Sequence, residues 1–330
     1  MLGVTAVQPY SNHIPKTKLF SEKLKDPIAE EIVRTKAFQR LRDISFLGAI
    51  SYVRNSSPEN GITKESRYYH SLGVAEIAET FAESRGLPRH ARLTIVAAGL
   101  LHDIGHPPLS HSAESALANR FGDNHHTMTE RIIRGNEKFA GDIPRILRSN
   151  GVDPENVIAI LNGDLQIGGT DLFKGPFNVD TLEGISRCSL YMSKTISESM
   201  PPPELVLSAA DNLDIPDQVS VLDCFWRSKD RVYNTFIRSP MGIIADKIAN
   251  DYFESYRGKI DRSIMLASES DLWRTHKKLY EKLYSFALSK GKNKKRIEYI
   301  KRTFIVRDEF PAQGLRDRYT HIKTPQHLEY

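Results

Sequence analysis

Apolar residues recur at helical spacing along most of this 330-residue chain, and this periodicity is the feature that most restricts its fold. Near the N-terminus, Asp26 and Pro27 form a typical helix start, because aspartate caps free N–H groups and proline suits the first helical position. Apolar residues then follow at three-to-four spacing or its multiples, at Ile28, Ile32, Phe38, Leu41 and Ile44. No alternating strand pattern longer than four residues is convincing. We therefore predict an all-α fold.

Other helix boundaries follow from caps, glycines and prolines. The predicted features are a helix over 71–84 that stops at Gly86, a helix that ends near Asp103, helix starts at Asp142 and Asp153, helix stops at Gly151 and Gly163, and loops at 53–66, 163–177 and 199–204. Repeats and low-complexity linkers are not evident in the sequence.

Composition is that of a globular intracellular protein. Hydrophobic residues make up 40% of the chain and charged residues 26%. The longest apolar run, at 94–101, is too short to cross a bilayer, and the N-terminus lacks the basic and apolar parts of a signal peptide. Cys188 and Cys224 are too few for a disulfide framework. We expect a cytoplasmic protein in a reducing compartment, with no membrane association.

Histidines are concentrated in one part of the chain. Six of the eleven lie between residues 70 and 126, where an even spread (57/330 of eleven) would put about two. The segment "LLHDIGHPPLSH" (100–111) contains three of them. Gly105 and the prolines after it end the preceding helix, so His102 and Asp103 occupy its last turn. Helix C-termini favour a cation, and imidazole with carboxylate suits Fe, Mn, Co or Zn, so we predict a metal site that includes His70 and a downstream carboxylate.

Three motifs together resemble a known family. The segments "RYYHSLGVAEIA", "AAGLLHDIGHPPLSH" and "FNVDTLEGISR" are similar to the H…HD…D signature of the HD-domain metal-dependent phosphohydrolases. The upstream helix "TKAFQRLRDISFLG" resembles the deoxynucleoside triphosphate triphosphohydrolase branch in particular. The resemblance covers roughly residues 26–190, with a weaker similarity at 225–246. It implies an HD-domain helical bundle with additional C-terminal helices.

The domain organisation that follows has three parts. Residues 1–25 are an N-terminal segment, 26–240 are the HD-domain catalytic core, and 241–330 are a C-terminal helical region that contains a basic segment at 290–302.

The resemblance also implies roles for individual residues. The implied metal ligands are His70, His102, Asp103 and Asp180. The implied catalytic residues are His106, His111, Glu114 and His125. The implied contacts to the phosphate chain are Arg67, His106 and Lys229. Glu114 would orient His111, and His125 is chosen over His126 because a threonine follows it at the fourth position. Asp211 and Asp214 form a second acidic cluster, for which we favour capping and turn roles.

The implied reaction is hydrolysis of a deoxynucleoside triphosphate to a nucleoside and tripolyphosphate. A metal-bound hydroxide would attack the α-phosphorus while His111 protonates the departing 5′-oxygen, with Mg²⁺ bridging the phosphate chain. Substrate positions depart from the branch, because Thr181, Gly184, Cys188 and Phe46 replace a lysine, a tyrosine, an acid and a glutamine. An HD nucleotidase or phosphodiesterase acting on another nucleotide, a signalling nucleotide or an oligonucleotide is therefore the alternative. A nucleic-acid-binding protein with a degenerate site is a third possibility, which the intact H…HD…D set disfavours.

Positive charge is concentrated near the C-terminus. The segment 290–302, "KGKNKKRIEYIKR", carries seven basic residues and one acidic residue, and the remainder of the chain has 39 basic and 40 acidic residues. This segment is a candidate for weak binding of nucleic acid or another polyanion, and a solvated helix face is the alternative. The remaining expected partners are a nucleotide substrate and other copies of the chain in a homo-oligomer.

Overall fold

The computed structural model describes residues 24–54, 65–163, 169–189, 192, 200–211, 216–256, 258–288, 296–307 and 318–329. Within these residues the chain forms fifteen α-helices and one two-stranded sheet, which confirms the all-α prediction for most of the chain. The helices are α1 (Pro27–Arg34), α2 (Lys36–Gln39), α3 (Ile50–Arg54), α4 (Arg67–Ser84), α5 (Arg89–Leu101), α6 (His111–Phe121), α7 (His125–Ile133), α8 (Asp142–Ser149), α9 (Pro154–Asn162), α10 (Val179–Ser189), α11 (Pro203–Asp211), α12 (Pro216–Val232), α13 (Pro240–Ser255), α14 (Glu269–Thr275) and α15 (Lys277–Leu288).

Several helix boundaries agree with the local signals in the sequence. Helix α1 begins at Pro27 after Asp26, and α9 begins at Pro154, where the Asp153 side chain accepts a hydrogen bond from the N–H of Glu155. Helix α4 begins at Arg67, four residues earlier than predicted, so His70 lies within its first turn. Most of the predicted loop at 53–66 lies outside the described residues.

Helices α4 and α5 form the centre of the main hydrophobic core. Almost every residue of α5 is buried, and α4 is buried on most of its surface. Gly99 permits the close contact between the two helices, because a Cβ there would lie 2.7 Å from the Cα of Ala75. Helix α10 packs on α4. This packing places the first turn of α4, the end of α5 and the first turn of α10 beside one another.

A second group of buried residues supports the loop that follows α5. It joins α3 and α6 to α13, α14 and α15, with Ala245, Met265 and Tyr280 among its members. Helices α6 and α13 are in extensive contact. The C-terminal helices therefore pack against the part of the chain that carries His111 and Glu114.

The C-terminal end of the described chain is a β-hairpin rather than a helix. Strand β1 (Arg296–Val306) pairs antiparallel with β2 (Tyr319–Glu329), so the prediction of a helical region holds only as far as Leu288. The described part of the basic segment, Arg296–Arg302, lies in β1 and is not a helix face. The hairpin forms because one of its faces packs on α12, where the Phe304 ring lies 5.5 Å from that of Trp226. Such long-range packing is not visible in local periodicity.

No helix within the described residues is both long and apolar enough to span a membrane. The domain boundaries expected from the sequence remain a prediction.

Candidate metal and catalytic site

The four predicted metal ligands converge where α4 begins and α5 ends. The Nε2 atoms of His70 and His102 lie 3.2 Å apart, and Asp180 Oδ1 lies 3.0 Å from the first and 3.8 Å from the second. Asp103 Oδ2 lies 3.4 Å and 3.3 Å from the same two nitrogen atoms. Donor atoms bound to one zinc-sized ion at about 2.0–2.2 Å lie about 3–4 Å from each other, so these spacings fit a single metal ion. Metal binding itself stays a prediction.

Both histidines direct Nε2 at the ligand cluster, while Nδ1 contacts another group of the protein. His102 Nδ1 lies 2.8 Å from the carbonyl oxygen of Gly99, to which it donates a hydrogen bond. His70 Nδ1 pairs with the carboxylate of Glu183. Because Nδ1 is engaged in each ring, Nε2 is the atom at which a metal ion would replace a proton. The donor set of two imidazoles and two carboxylates suits the transition metals expected from the sequence.

Glu183 is a functional candidate that the sequence reasoning missed. It lies one turn after Asp180 on α10, is 4% exposed and is paired with the buried Arg187. Arg187 also contacts Glu65 at 2.6 Å and donates to the carbonyl oxygen of Tyr69 at 3.0 Å. Gly73 makes room for this carboxylate, since a Cβ there would lie 2.6 Å from Glu183 Oε1. The three-residue spacing from Asp180 is the signal that could have identified Glu183.

The carboxylates of the site stabilise positive charge there. Burial lowers the pKa of His70, but Glu183 and Asp180 more than offset this and raise it to about 9. Burial raises the pKa of Asp103, whereas Arg67 and His102 together hold it well below its usual range. The cluster therefore stabilises a cation, which is the electrostatic requirement of a metal site.

Arg67 lies inside the site rather than on its surface. It is 4% exposed, forms an ion pair with Asp103 and donates from Nε to Ser110 Oγ at 2.9 Å. Its Nη2 also donates to the carbonyl oxygen of Phe46 at 3.3 Å. Arg67 is therefore brought beside the ligand cluster, and its predicted contact with phosphate stays a prediction.

A second cluster contains the predicted catalytic residues. Glu114 accepts hydrogen bonds from His111 Nδ1, at 2.9 Å, and from both the ring and the backbone N–H of His125, the latter at 2.9 Å. The ring of His126 lies next to this cluster, with its centroid 3.9 Å from that of the His125 ring. Glu114 thus contacts His125 directly, and the catalytic choice of His125 over His126 stays a prediction. Glu114 orients two imidazoles, where the sequence predicted one.

His106 connects the two clusters. Its ring stacks on His125 with centroids 4.1 Å apart, and its Nε2 lies 3.2 Å from Asp103 Oδ1. It is fully buried, and neither ring nitrogen has a well-oriented hydrogen-bond partner among the described residues. Burial, Arg67 and His125 hold the pKa of His106 well below its usual range, so the ring is neutral. The His111 side chain is 64% exposed, which makes it the more accessible of the two.

The loop that carries these histidines has an unusual backbone. Leu109 and Ser110 both have positive φ angles, of 63° and 48°, which are costly for residues other than glycine. Ser110 Oγ donates to the carbonyl oxygen of Ser45 at 2.6 Å, and Glu269 Oε1 accepts from the N–H of Leu109 at 3.1 Å. These contacts hold the turn that places His111 at the start of α6. Neither Ser45 nor Glu269 was identified from the sequence.

The remaining predicted residues have clear positions. Lys229 is buried on α12, and burial lowers its pKa to about 8 although Asp180 raises it. Asp211 accepts hydrogen bonds from Arg85, and the capping and turn roles favoured for that acidic group stay a prediction. Asp214 lies outside the described residues.

Comparison with known proteins gives a family match over the part of the chain that contains this site. A family model described as the HD domain matches residues 67–215, which include all four predicted ligands. The match covers a little under half of the chain and indicates an HD domain at residues 67–215.

Individual relatives are similar over part of the chain. An uncharacterised protein of Mycoplasma genitalium is 33% identical over 140 residues, 42% of this chain and 32% of that protein. The uncharacterised protein YwfO of Bacillus subtilis is 31% identical over 193 residues, 54% of this chain and 42% of YwfO. A protein of Deinococcus radiodurans named deoxyguanosinetriphosphate triphosphohydrolase-like protein 1 is 32% identical over 120 residues, 35% of this chain and 30% of that protein. The matches thus span less than half the length of each of these relatives.

Proposed function

We propose that this chain hydrolyses (deoxy)nucleoside triphosphates to a nucleoside and tripolyphosphate. The observation that carries the proposal is the position of the His111–Glu114–His125 cluster beside the metal-ligand cluster, with His106 contacting both. The names of several relatives, which include dGTP triphosphohydrolase-like proteins, support this substrate class.

The ligand set His70, His102, Asp103 and Asp180 would hold the metal ion. When bound, such an ion lowers the pKa of coordinated water and supplies a nucleophile near neutral pH. The residues of the chain then position the substrate and move a proton. Water adds to the α-phosphorus and the bond to the 5′-oxygen breaks.

In the second part of this reaction, His111 donates a proton to the departing 5′-oxygen. Glu114 holds the ring of His111 from Nδ1, so that Nε2 is the proton donor. General acid catalysis of this kind contributes about 10²–10⁴-fold. Arg67 and Lys229 neutralise the charge of the phosphate chain, in part with Mg²⁺.

The second candidate is an HD nucleotidase or phosphodiesterase that acts on another phosphate ester. It is favoured by Thr181, which follows the last predicted ligand, Asp180, and lines a cavity. The triphosphohydrolase branch has a lysine in place of this threonine. Incubation with a panel of nucleotides and several divalent metals tests both. Tripolyphosphate and nucleoside support the first candidate, whereas orthophosphate or nucleoside monophosphate supports the second.

The metal site has its own test. We expect the purified protein to hold about one transition metal ion per chain and His102→Ala and Asp103→Ala to lose most of it. His90→Ala is the matched control, because His90 is an exposed histidine on the same helix. Equal metal content in all four proteins would contradict the site.

A further inference from the structure

A cavity of about 400 Å³ lies between α10, α12 and the β-hairpin. Thr181, the residue after Asp180, lines it, and Lys229 and Tyr233 on the cavity wall interact electrostatically with Asp180. The cavity therefore opens beside the predicted metal ligands. Its volume lies within the range of about 300–1,000 Å³ that is typical of small-molecule sites.

The described lining residues combine aromatic rings with positive charge. They are Gly175, Pro176, Thr181, Trp226, Lys229, Tyr233, Arg302, Phe304, Tyr319 and His321. Trp226, Tyr233, Phe304 and Tyr319 contribute largely apolar aromatic rings. Lys229, Arg302 and His321 carry a positive charge or can gain one by protonation, and none of the lining residues in this list has a carboxylate. No carboxylate among the described residues forms an ion pair with Arg302 or Lys229. A ligand that carries both a flat ring and negative charge matches this lining.

The register of the hairpin explains why these residues share one face. Side chains alternate along a strand, so Arg302 and Phe304 point to the same side of β1, and Phe304 is directly opposite His321 on β2. Tyr319 lies two residues before His321 and shares that face. Lys301 lies on the opposite face and is exposed. Of these two adjacent basic residues of β1, Arg302 therefore faces the cavity and Lys301 faces solvent.

The hairpin is firmly attached to α12. Asp223 accepts hydrogen bonds from both Arg318, at 3.0 and 2.6 Å, and the hydroxyl of Tyr319, at 2.8 Å. The N–H of Phe304 donates to Asp230 Oδ1 at 2.8 Å, and Trp226 Nε1 donates to the carbonyl oxygen of Thr320 at 3.3 Å. These bonds fix the wall of the cavity and do not involve Arg302 or His321. The side chains of Arg302 and His321 are therefore available to a ligand.

We propose that the β-hairpin completes a nucleotide-binding pocket beside the metal site, in which Arg302 binds the phosphate chain and the aromatic residues hold the base or sugar. The proposal rests on the proposed function for the class of substrate. Arginine is suited to phosphate because its planar guanidinium donates two parallel hydrogen bonds. The position of Lys229, with Nζ 4.5 Å from the Trp226 ring and 4.9 Å from the Phe304 ring, places a second cation between the aromatic walls.

The experiment uses the full chain and a fluorescence readout of binding. The chain has two tryptophans, and Trp226 lines the cavity while Trp273 packs against Tyr280 in the other core group. In a Trp273→Phe protein, Trp226 is the only fluorescent tryptophan. This protein is titrated with dGTP in EDTA, so that metal-dependent turnover does not consume the ligand, and kcat/KM is measured separately with metal.

The decisive comparison is between Arg302→Gln and Lys301→Gln, which remove the same charge from opposite faces of β1. We expect dGTP to change Trp226 fluorescence, Arg302→Gln to weaken that binding about tenfold or more, and Lys301→Gln to change it less than about twofold. Thermal unfolding of each variant confirms that the fold is retained. No hydrogen bond from the Arg302 side chain to another described residue anchors the hairpin, so both variants are expected to fold.

The outcomes separate this proposal from the proposed function. Equal dGTP affinity in Arg302→Gln and Lys301→Gln, or no response of Trp226 to dGTP, overturns the pocket even if the protein hydrolyses nucleotides. Binding that Arg302→Gln weakens selectively supports the pocket even if no triphosphate is hydrolysed. In that second case only the proposed reaction is wrong.

Discussion

The chemistry of the site depends on which nitrogen atom each histidine presents. His102 is fixed by the carbonyl oxygen of Gly99, a backbone contact that mutation cannot easily remove. His70 is instead fixed by Glu183, which is itself held by Arg187. The orientation of one predicted ligand therefore depends on a buried side chain from another helix. This dependence can be tested at the level of single residues.

Glu183→Gln is expected to weaken metal binding by about 10–100-fold, because a metal-ligating imidazole loses the carboxylate that orients it and makes it more basic. Glutamine keeps the size of the side chain and can still accept a hydrogen bond. Metal affinity is measured by competition with a chelator. Glu114→Gln is the control, since Glu114 contacts only the second histidine cluster. Equal affinities in wild type and Glu183→Gln would show that Glu183 has only a packing role.

His111→Ala is expected to lower kcat by about 10²–10⁴-fold while the metal content stays at the wild-type level. The reason is that His111 is exposed beside the metal-ligand cluster but is not one of its members. Turnover and elemental analysis are measured on the same preparation. His126→Ala, a change in a neighbouring histidine that Glu114 does not bind, is the matched control. Near-normal kcat in His111→Ala would make His125 the candidate proton donor.

The helices of the core were largely predictable because their boundaries are set by local contacts. Pro27, the Asp153 cap before Pro154, and glycines such as Gly163 act within a few residues of the helix end that they determine, whereas the Asp26 side chain makes no capping hydrogen bond. The four predicted ligands could be proposed for a related reason, since their types and spacing resemble a family motif.

The β-hairpin was not predictable in the same way. Strand β1 alternates imperfectly and carries several basic residues, and β2 contains Pro325, which argues against a strand. It packs on Asp223 and Trp226, which lie seventy or more residues before β1 in the sequence. Glu183 and Glu269 were missed because their partners also come from distant elements.

The turn between α5 and α6 depends on the C-terminal helices through Glu269. This residue is 1% exposed and accepts hydrogen bonds from the backbone N–H and hydroxyl of Ser45, at 2.7 and 2.6 Å, and from Leu109. Tyr52 also donates to it. One buried carboxylate therefore joins α14 to the strained backbone before His111.

Glu269→Ala is expected to reduce the free energy of unfolding by several kcal/mol, since each hydrogen bond to a buried charge is worth about 1.5–3 kcal/mol. Activity is expected to fall with it, because His111 loses its fixed position. Denaturant unfolding gives the stability, and turnover at a temperature where the variant is folded gives the activity. Glu281→Ala, an exposed glutamate on α15, is the control. Wild-type stability in Glu269→Ala would contradict the role of Glu269.

On the scale of the whole molecule, the excess positive charge lies in one segment, and the fold places the side chains of that segment in different environments. The net charge is +5, and residues 290–302 alone account for a local +6. Within the described part of this segment, Arg302 lines the cavity whereas Arg296 and Lys301 are exposed. Residues 290–295 lie outside the described residues. The segment therefore combines a position proposed for a specific ligand with exposed positions suited only to non-specific attraction.

We expect this basic segment to bind polyanions weakly and without sequence preference. Replacing Lys294, Lys295 and Arg296 with Gln should lower affinity for single-stranded DNA and reduce its salt dependence, because each phosphate contact contributes about 0.7 to the slope of log K against log salt. Affinity is measured by fluorescence anisotropy over a range of salt concentrations. The same triple variant should bind dGTP as wild type does, since it leaves Arg302 and the other described lining residues of the pocket unchanged. Arg302→Gln should show the reverse pattern, with weaker dGTP binding and little change in DNA affinity. An unchanged salt slope in the triple variant would mean that the charge run only keeps this surface solvated.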